Sequence, residues 1–368
     1  MATRLSSSAS SLAVVIAGGG TGGHLYPGIA VAREVLRQRP DAVVTFAGTE
    51  RGLEARVIPQ EGFPLDFIRS AGLKGKSFSA RARGAAMLVP SFIDAWRVLS
   101  ARRPSVVVGV GGYSSGPIVL LAAMRRIPTM VLEQNAVPGL TNRLLARVVR
   151  AAAVTYDQTT TYFGRVGFVS GNPVRAEFFG AAVESDPARR RTRVLVLGGS
   201  QGAHAVNVAV ADAAAALFAR VPDLVLVHQT GSRDLETVRD RYRRDGLAAR
   251  AEAFLDPVAP EVLGADLVVC RAGATTLAEL AAAGRPAVLV PLPTATDDHQ
   301  RKNAEVLVRA GAAVMVEERH ASAAHLSDTI ATLLDDTARL DAMAQAMRHF
   351  ARPDAAFRIV TRMLEVAS

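Results

Sequence analysis

A single cysteine, Cys270, in 368 residues rules out any disulfide within the chain and suits a reducing compartment. It ends the apolar run Leu267-Val268-Val269, so a buried, inert thiol is expected there rather than a nucleophile. Long apolar runs are missing, and none reaches the ~20 residues that a membrane-spanning helix needs. The first, Leu12 to Ala17, is short and ends in glycines, which does not fit a signal peptide. A soluble, cytoplasmic protein is expected. Aromatics make up only 5% of the chain and are not interleaved with Arg or Lys, as a platform for stacking single-stranded nucleic acid would require. No spacing of His, Cys and Asp resembles a zinc or EF-hand site, so no metal ligand is assigned. Neither a Gly-x-Ser-x-Gly elbow nor a Walker loop with its Lys-Ser/Thr is present. Nor is there an Asp-x-Asp, so nothing points to a metal-clamped nucleotide sugar.

What the chain has in excess is positive charge and glycine in clusters. The net charge of +9 favours anionic partners: a nucleotide, nucleic acid or an acidic membrane surface. The densest glycine cluster is Gly18-Gly19-Gly20-Thr21-Gly22-Gly23-His24. Five glycines in seven residues suit neither a strand nor a helix interior, because each gives up too much backbone entropy there. With an apolar run before it and a helical pattern after it, the cluster reads as a tight strand-to-helix turn. The N–H groups of such a turn attract anions, and His24 falls at its mouth. The spacing Gly18-x-Gly20-x-x-Gly23 also fits the dinucleotide fingerprint, which needs an acid about 20 residues on, near the end of the second strand. That strand reads Val43 to Ala47. The nearest acid beyond it, Glu50, sits late and heads a charged helix, which counts against NAD.

Short apolar runs alternate with helical patterns along the whole chain. Strands are expected at 12–17, 43–47, 65–68, 105–109, 128–132 and 152–155, with helices between them. Near-continuous apolar strands separated by helices mean a parallel sheet covered on both faces. A charged, Pro-containing stretch around Asp186-Pro187 and Arg189-Arg190-Arg191 reads as a linker. The pattern then restarts with a strand (193–197), a second glycine loop, Gly198-Gly199-Ser200-Gln201-Gly202-Ala203, and a helix (204–220). The expected fold class is α/β, with two Rossmann-like domains whose parallel sheets face a cleft. The expected division is 1–173 and 174–353, with a final helix, 354–368, that the first domain could reclaim.

Three polar runs follow expected strands. In Arg271 to Glu279, spacing alone favours a helix-capping box, Thr276-x-x-Glu279, over a carboxylate that grips a ribose. Asp297-Asp298-His299-Gln300-Arg301-Lys302-Asn303-Ala304 reads as a solvated helix start with Asp297 or Asp298 as cap, or as a row of sugar-binding side chains. Glu133-Gln134-Asn135 reads as a polar loop. Residues 69–103 hold eight basic side chains against one acid, Asp94. Residues 89, 92, 93, 96 and 99 share a helical face there. An ordinary core helix is the plain reading, but the basic excess and the only Trp point to an interfacial membrane patch of Phe92, Ile93 and Trp96.

Together these motifs resemble one family. Gly19 to His24, Gly111-Gly112-Tyr113-Ser114-Ser115-Gly116-Pro117, Glu133-Gln134-Asn135, Gly171-Asn172-Pro173-Val174-Arg175, the 198–203 loop, the Arg271 to Glu279 run and Asp298-His299-Gln300-x-x-Asn303-Ala304 are similar to the MurG family. These are the UDP-N-acetylglucosamine:lipid I N-acetylglucosaminyltransferases of bacterial peptidoglycan synthesis. The motifs stand in the family's order over nearly the whole chain. Leu132 replaces the His that many relatives have before Glu-Gln-Asn, and His299-Gln300 stands where some have Gln-Gln.

The resemblance implies the GT-B architecture and an inverting transfer of GlcNAc to the muramoyl 4-hydroxyl of lipid I. By it, UDP-GlcNAc lies mainly on the second half. Glu279 would hold the ribose, which reverses the preference from spacing. Backbone near Phe254 and Leu255 would meet the uracil. Ser200, Gln201 and Arg175 would face the diphosphate, and Asn135 and Gln300, with His299 beside it, would meet the sugar. Lipid I would enter at the first half with its diphosphate against Thr21, Gly22 and Gly23, and His24 would be the base. No cofactor is implied. The implied partners are UDP-GlcNAc, lipid I, the anionic cytoplasmic face of the plasma membrane and other cell-wall enzymes. The protein would then be cytoplasmic and peripheral on the inner face of that membrane. A UDP-GlcNAc 2-epimerase of the same architecture stays open as an alternative, and a two-lobed NAD oxidoreductase less so.

Overall fold

The computed structural model describes residues 11–70, 87–180, 192–198 and 203–368. The chain forms two compact units: residues 1–134, 138–173 and 354–368 make the first, and 135–137 with 174–353 the second.

The first unit begins β1 (Ala13–Gly18), α1 (Gly22–Gln38), β2 (Val43–Gly48), α2 (Glu54–Gln60) and β3 (Leu65–Phe67). It continues α3 (Leu88–Arg102), β4 (Val106–Gly111), α4 (Ser115–Met124), β5 (Thr129–Glu133), α5 (Leu140–Leu145), β6 (Ala151–Val154) and β7 (Gly167–Val169). The strands pair in parallel in the order β3-β2-β1-β4-β5-β6-β7. Successive residues of β1 enter different cores: Val14 and Ile16 meet Leu25, Ile29 and Met363, while Val15 and Ala17 meet Leu99, Ile118 and Val131. That is the alternation of a strand buried on both faces. The C-terminal helix Ala355–Ala367 packs against α1 within this unit.

The second unit repeats the plan. It runs β8 (Arg193–Leu197), α6 (His204–Arg220), β9 (Val225–Gln229), α7 (Leu235–Arg244), β10 (Arg250–Glu252) and α8 (Ala259–Gly264). Then come β11 (Leu267–Cys270), α9 (Ala274–Ala283), β12 (Ala287–Leu289), α10 (His299–Arg309), β13 (Ala313–Met315), α11 (Ala323–Asp335) and α12 (Thr337–Arg348). The sheet order is β10-β9-β8-β11-β12-β13, again parallel. Cys270 is buried, and burial pushes its thiol up to about 12, so it is inert.

In each sheet the strand order reverses once, between β1 and β4 and between β8 and β11. Such a switch point leaves a crevice outside the carboxyl ends of the two strands, where ligands of open α/β sheets bind. Gly18 and Gly111 end the strands at the first reversal, and Gly198 and Arg271 follow the strands at the second.

Candidate active site

At the first reversal the backbone is packed tightly enough to require glycine. Gly19 has φ +146°, and a Cβ there would lie 2.5 Å from the Glu54 carboxyl. Gly111 has φ +103°, and its Cβ would meet His24 Nδ1 at 2.6 Å. The helix starts earlier than the sequence suggests, so Gly22, Gly23 and His24 form the first turn of α1. His24 therefore sits on the helix, part-exposed, with its ring against Gly111. Its Nδ1 meets Gln134 Oε1 at 3.0 Å, and Gln134 Nε2 donates to the Val110 carbonyl at 3.1 Å.

Two side chains that build this site were given no role from the sequence, although Gln134 stands in the Glu133-Gln134-Asn135 run. Gln134, just past β5, is 2% exposed, and Glu54, at the start of α2, is 1% exposed. Glu54 Oε2 accepts from the Gly20 N–H at 2.7 Å, while Oε1 accepts from the Thr49 N–H and hydroxyl at 2.9 and 2.8 Å. A buried carboxylate without partners costs several kcal/mol, and these three donors offset that cost. The signal for Glu54 was the cluster Gly19, Gly48 and Gly52, each of which would drive a Cβ into its carboxyl group. Glu54, rather than exposed Glu50, is the acid that meets the end of β2, and it is consumed by the loop. With Gly20 bound to Glu54 and Gly19 N–H directed at Gly111 O, the N–H groups of Thr21 and Gly22 donate to no group among the described residues.

In the second unit the capping-box reading fails. The N-cap of α9 is Gly273, with extended φ −69° and ψ 136° and no side-chain cap, so Thr276 and Glu279 lie inside the helix. Arg175 reaches Glu279 Oε1 at 3.6 Å and Glu177 at 3.0 Å, and its guanidinium lies 5.0 Å over the Phe178 ring. Burial pushes the Glu279 carboxyl up to about 7, with Arg175 opposing the rise. Asp298 occupies the cap position of α10 without capping it and bonds Arg301 instead. His299 Nδ1 donates to the Thr296 carbonyl at 2.7 Å. Gln300 Oε1 accepts from the Leu292 N–H at 3.0 Å, and its amide NH₂ has no partner among the described residues.

Asn303, fully buried, accepts from the Ala136 N–H at 2.8 Å and donates to Asn135 Oδ1 at 3.1 Å and the Ala272 carbonyl at 3.3 Å. It thus holds Asn135 beside the strand end that carries Arg271. The Leu255 N–H is taken by Gln229 Oε1 at 3.1 Å, while Phe254 is 54% exposed. Ser200 and Gln201 lie outside the described residues.

Comparison with known proteins identifies the arrangement. The glycosyltransferase family 28 N-terminal domain matches residues 14–154 and the family's C-terminal domain residues 193–359. A curated relative from Anaeromyxobacter sp. (strain K) is 47% identical over 96% of this chain and 92% of its own length. It is named UDP-N-acetylglucosamine--N-acetylmuramyl-(pentapeptide) pyrophosphoryl-undecaprenol N-acetylglucosamine transferase. A relative of the same name from Myxococcus xanthus (strain DK1622) is 45% identical over 93% of this chain and 90% of its own. The chain belongs to the MurG family. The crystal structure of Acinetobacter baumannii MurG superposes with a TM-score of 0.80 at 29% identity, over 96% of this chain and 99% of that one. That likeness indicates the GT-B architecture. A UDP-GlcNAc 2-epimerase from Neisseria meningitidis also superposes, with a TM-score of 0.69 but only 12% identity over 96% of this chain and 99% of that one. The epimerase shares the fold, while the near full-length sequence likeness lies with the MurG family.

Proposed function

We propose that this enzyme transfers GlcNAc from UDP-GlcNAc to the 4-hydroxyl of the muramoyl residue of lipid I, forming lipid II. The observation that carries this is the 47% identity, over nearly the full length, to relatives named for that transfer. The first unit takes the acceptor and the second the donor.

On the donor side, Glu279 accepts from both ribose hydroxyls. Its burial suits this role, because a carboxylate short of solvent gains most from two added donors. Phe254 and the Leu255 backbone meet the uracil, with Gln229 released from the Leu255 N–H on binding. Gln300, Asn135 and His299 meet sugar hydroxyls. Arg175, Ser200, Gln201 and the N–H groups at the start of α6 meet the diphosphate. On the acceptor side, Gly23 and the N–H groups of Thr21 and Gly22, which donate to no group among the described residues, meet the lipid diphosphate at the start of α1.

The acceptor O–H bond breaks as its proton passes to His24. The oxygen's electron pair forms the bond to the anomeric carbon, and the bond from that carbon to the β-phosphate oxygen breaks. Its pair leaves with UDP, so an α donor gives a β(1→4) link. Preorganised donors stabilise the charge that grows on the leaving diphosphate.

We further propose that the enzyme works at the cytoplasmic face of the plasma membrane. Among the described residues no helix is long and apolar enough to cross a membrane. Contact instead falls to α3, which buries Ser91, Asp94, Ala95, Val98 and Leu99. Of the stripe expected from the sequence only Leu99 turns inward; Val89, Ile93 and Trp96 are exposed and Phe92 is half-buried. Trp96 lies 4.7 Å beneath the Arg125 guanidinium. Some of the expected charge is spent within the fold: Arg69 pairs with Asp94 and Arg102 with Asp66. Lys74, Lys76, Arg81 and Arg83 lie outside the described residues.

Incubating the enzyme with UDP-GlcNAc and a lipid I analogue tests the activity. The expected products are a β-linked disaccharide and UDP. Conversion of UDP-GlcNAc to its 2-epimer, with the acceptor untouched, would overturn it.

A further inference from the structure

Gln134 is placed by two interactions that leave its amide one orientation. Its NH₂ end donates to the Val110 carbonyl on β4 at 3.1 Å, and a carbonyl can only accept. The oxygen end therefore faces His24 Nδ1, at 3.0 Å. An amide oxygen also only accepts, so the proton on the neutral ring belongs on Nδ1 and the lone pair on Nε2. The ring lies directly on the Gly111 backbone, where any Cβ would come within 2.6 Å of Nδ1. Gln134 itself is buried, so water does not compete for its oxygen.

We propose that Gln134 is the positioning residue that sets the tautomer of His24 and keeps Nε2 ready to take the acceptor proton. This rests on the assignment of His24 as the base. When Nε2 takes the proton, Nδ1–H continues to donate to the Gln134 oxygen, so no second proton moves and no group must reorient. Because the partner is a neutral amide rather than a carboxylate, the imidazolium is not held by an ion pair.

The test combines a ring signal with kinetics on the full chain. Histidine labelled with ¹⁵N reports which ring nitrogen is protonated, and the signal that vanishes in His24→Ala identifies His24. The wild type is expected to show the Nδ1–H form. Gln134→Met keeps the side-chain length but offers no oxygen. It is expected to shift the ring to Nε2–H and to lower kcat at least tenfold, with the KM for UDP-GlcNAc within about twofold. Gln134→Glu offers Nδ1–H an acceptor but gives up the donor to the Val110 carbonyl and adds a charge; relative to Gln134→Met it is expected to restore the Nδ1–H form, with turnover still below the wild type. A melting curve of each variant separates misfolding from mispositioning. A wild-type ring protonated at Nε2, or a Gln134→Met ring unchanged from the wild type, overturns the proposal. So does a switched ring with unchanged kcat where His24→Ala is inactive. Full turnover by His24→Ala overturns the assignment of the base instead, and the ring signal then decides alone whether Gln134 sets the tautomer.

Discussion

In the proposed reaction two residues carry opposite demands: His24 gains a proton as the acceptor is activated, and Glu279 is ionised to receive the donor. His24→Ala is expected to lower kcat by ~10²–10⁴, the usual contribution of a general base, with the KM for UDP-GlcNAc nearly kept. Steady-state kinetics in each substrate checks it, and a variant near wild-type turnover refutes the role. Glu279→Ala is expected to raise that KM strongly, since losing a charged hydrogen-bond partner costs ~1.5–3 kcal/mol. Glu279 also links stability to pH. Burial raises its carboxyl from 4.5 to about 7, so between these values the folded chain holds a proton that the unfolded chain releases. Stability from this group is therefore full below about pH 4.5 and is lost as pH rises through about 7. Without nucleotide, Glu279→Gln should gain in melting temperature relative to the wild type between pH 5 and pH 8. A difference that stays constant across that range would show that burial does not perturb the carboxyl.

At the scale of elements, what the sequence made legible was what neighbouring residues determine. The runs Ala13–Gly18 and Arg193–Leu197, each followed by glycines and a helix, announced two parallel sheets because strands buried on both faces are apolar throughout. The three-residue β7 is only half-buried and leaves no such trace. Spacing made Thr276 and Glu279 look like a cap, but it cannot say that Gly273 already starts α9. Gln134 and Glu54 received no role for another reason: their partners, the His24 ring and the Val110 carbonyl for one and Gly20 and Thr49 for the other, are brought in by other elements. Glu54 joins the start of α2 to Thr49, after β2, and to Gly20, before α1. Glu54→Gln keeps the shape but turns one acceptor into a donor facing an N–H or a hydroxyl. The expected cost is ~1–3 kcal/mol, read as a lower melting temperature. Because the Gly20 N–H would no longer be held, the KM for the lipid acceptor should rise more than that for UDP-GlcNAc. An equal rise in both would mean that Glu54 supports the fold alone.

For the whole molecule the net charge of +9 has a use if the acceptor is anchored in an anionic bilayer. Basic side chains near such a surface are worth about 1 kcal/mol each, and salt screens them. That term brings the protein to the surface without fixing which face meets it. The apolar residues of α3 supply the orientation. Its inner face is used up by the core, while Val89, Ile93 and Trp96 are exposed, Trp96 with the Arg125 guanidinium over its ring. Inserting a side chain the size of Ile gains about 1.5–3 kcal/mol. Ile93→Ser with Trp96→Ala should therefore weaken partitioning into anionic vesicles by tenfold or more, since 1.4 kcal/mol is a factor of ten. The melting temperature should stay within a few degrees, and turnover of a water-soluble acceptor should be kept. Raising the salt should weaken the binding of both proteins, because the charge term is common to them. Vesicle sedimentation at two salt concentrations, beside melting curves, measures all of this. Unchanged partitioning in the double variant would move the membrane contact elsewhere on the molecule, and a large loss of melting temperature would return α3 to the core.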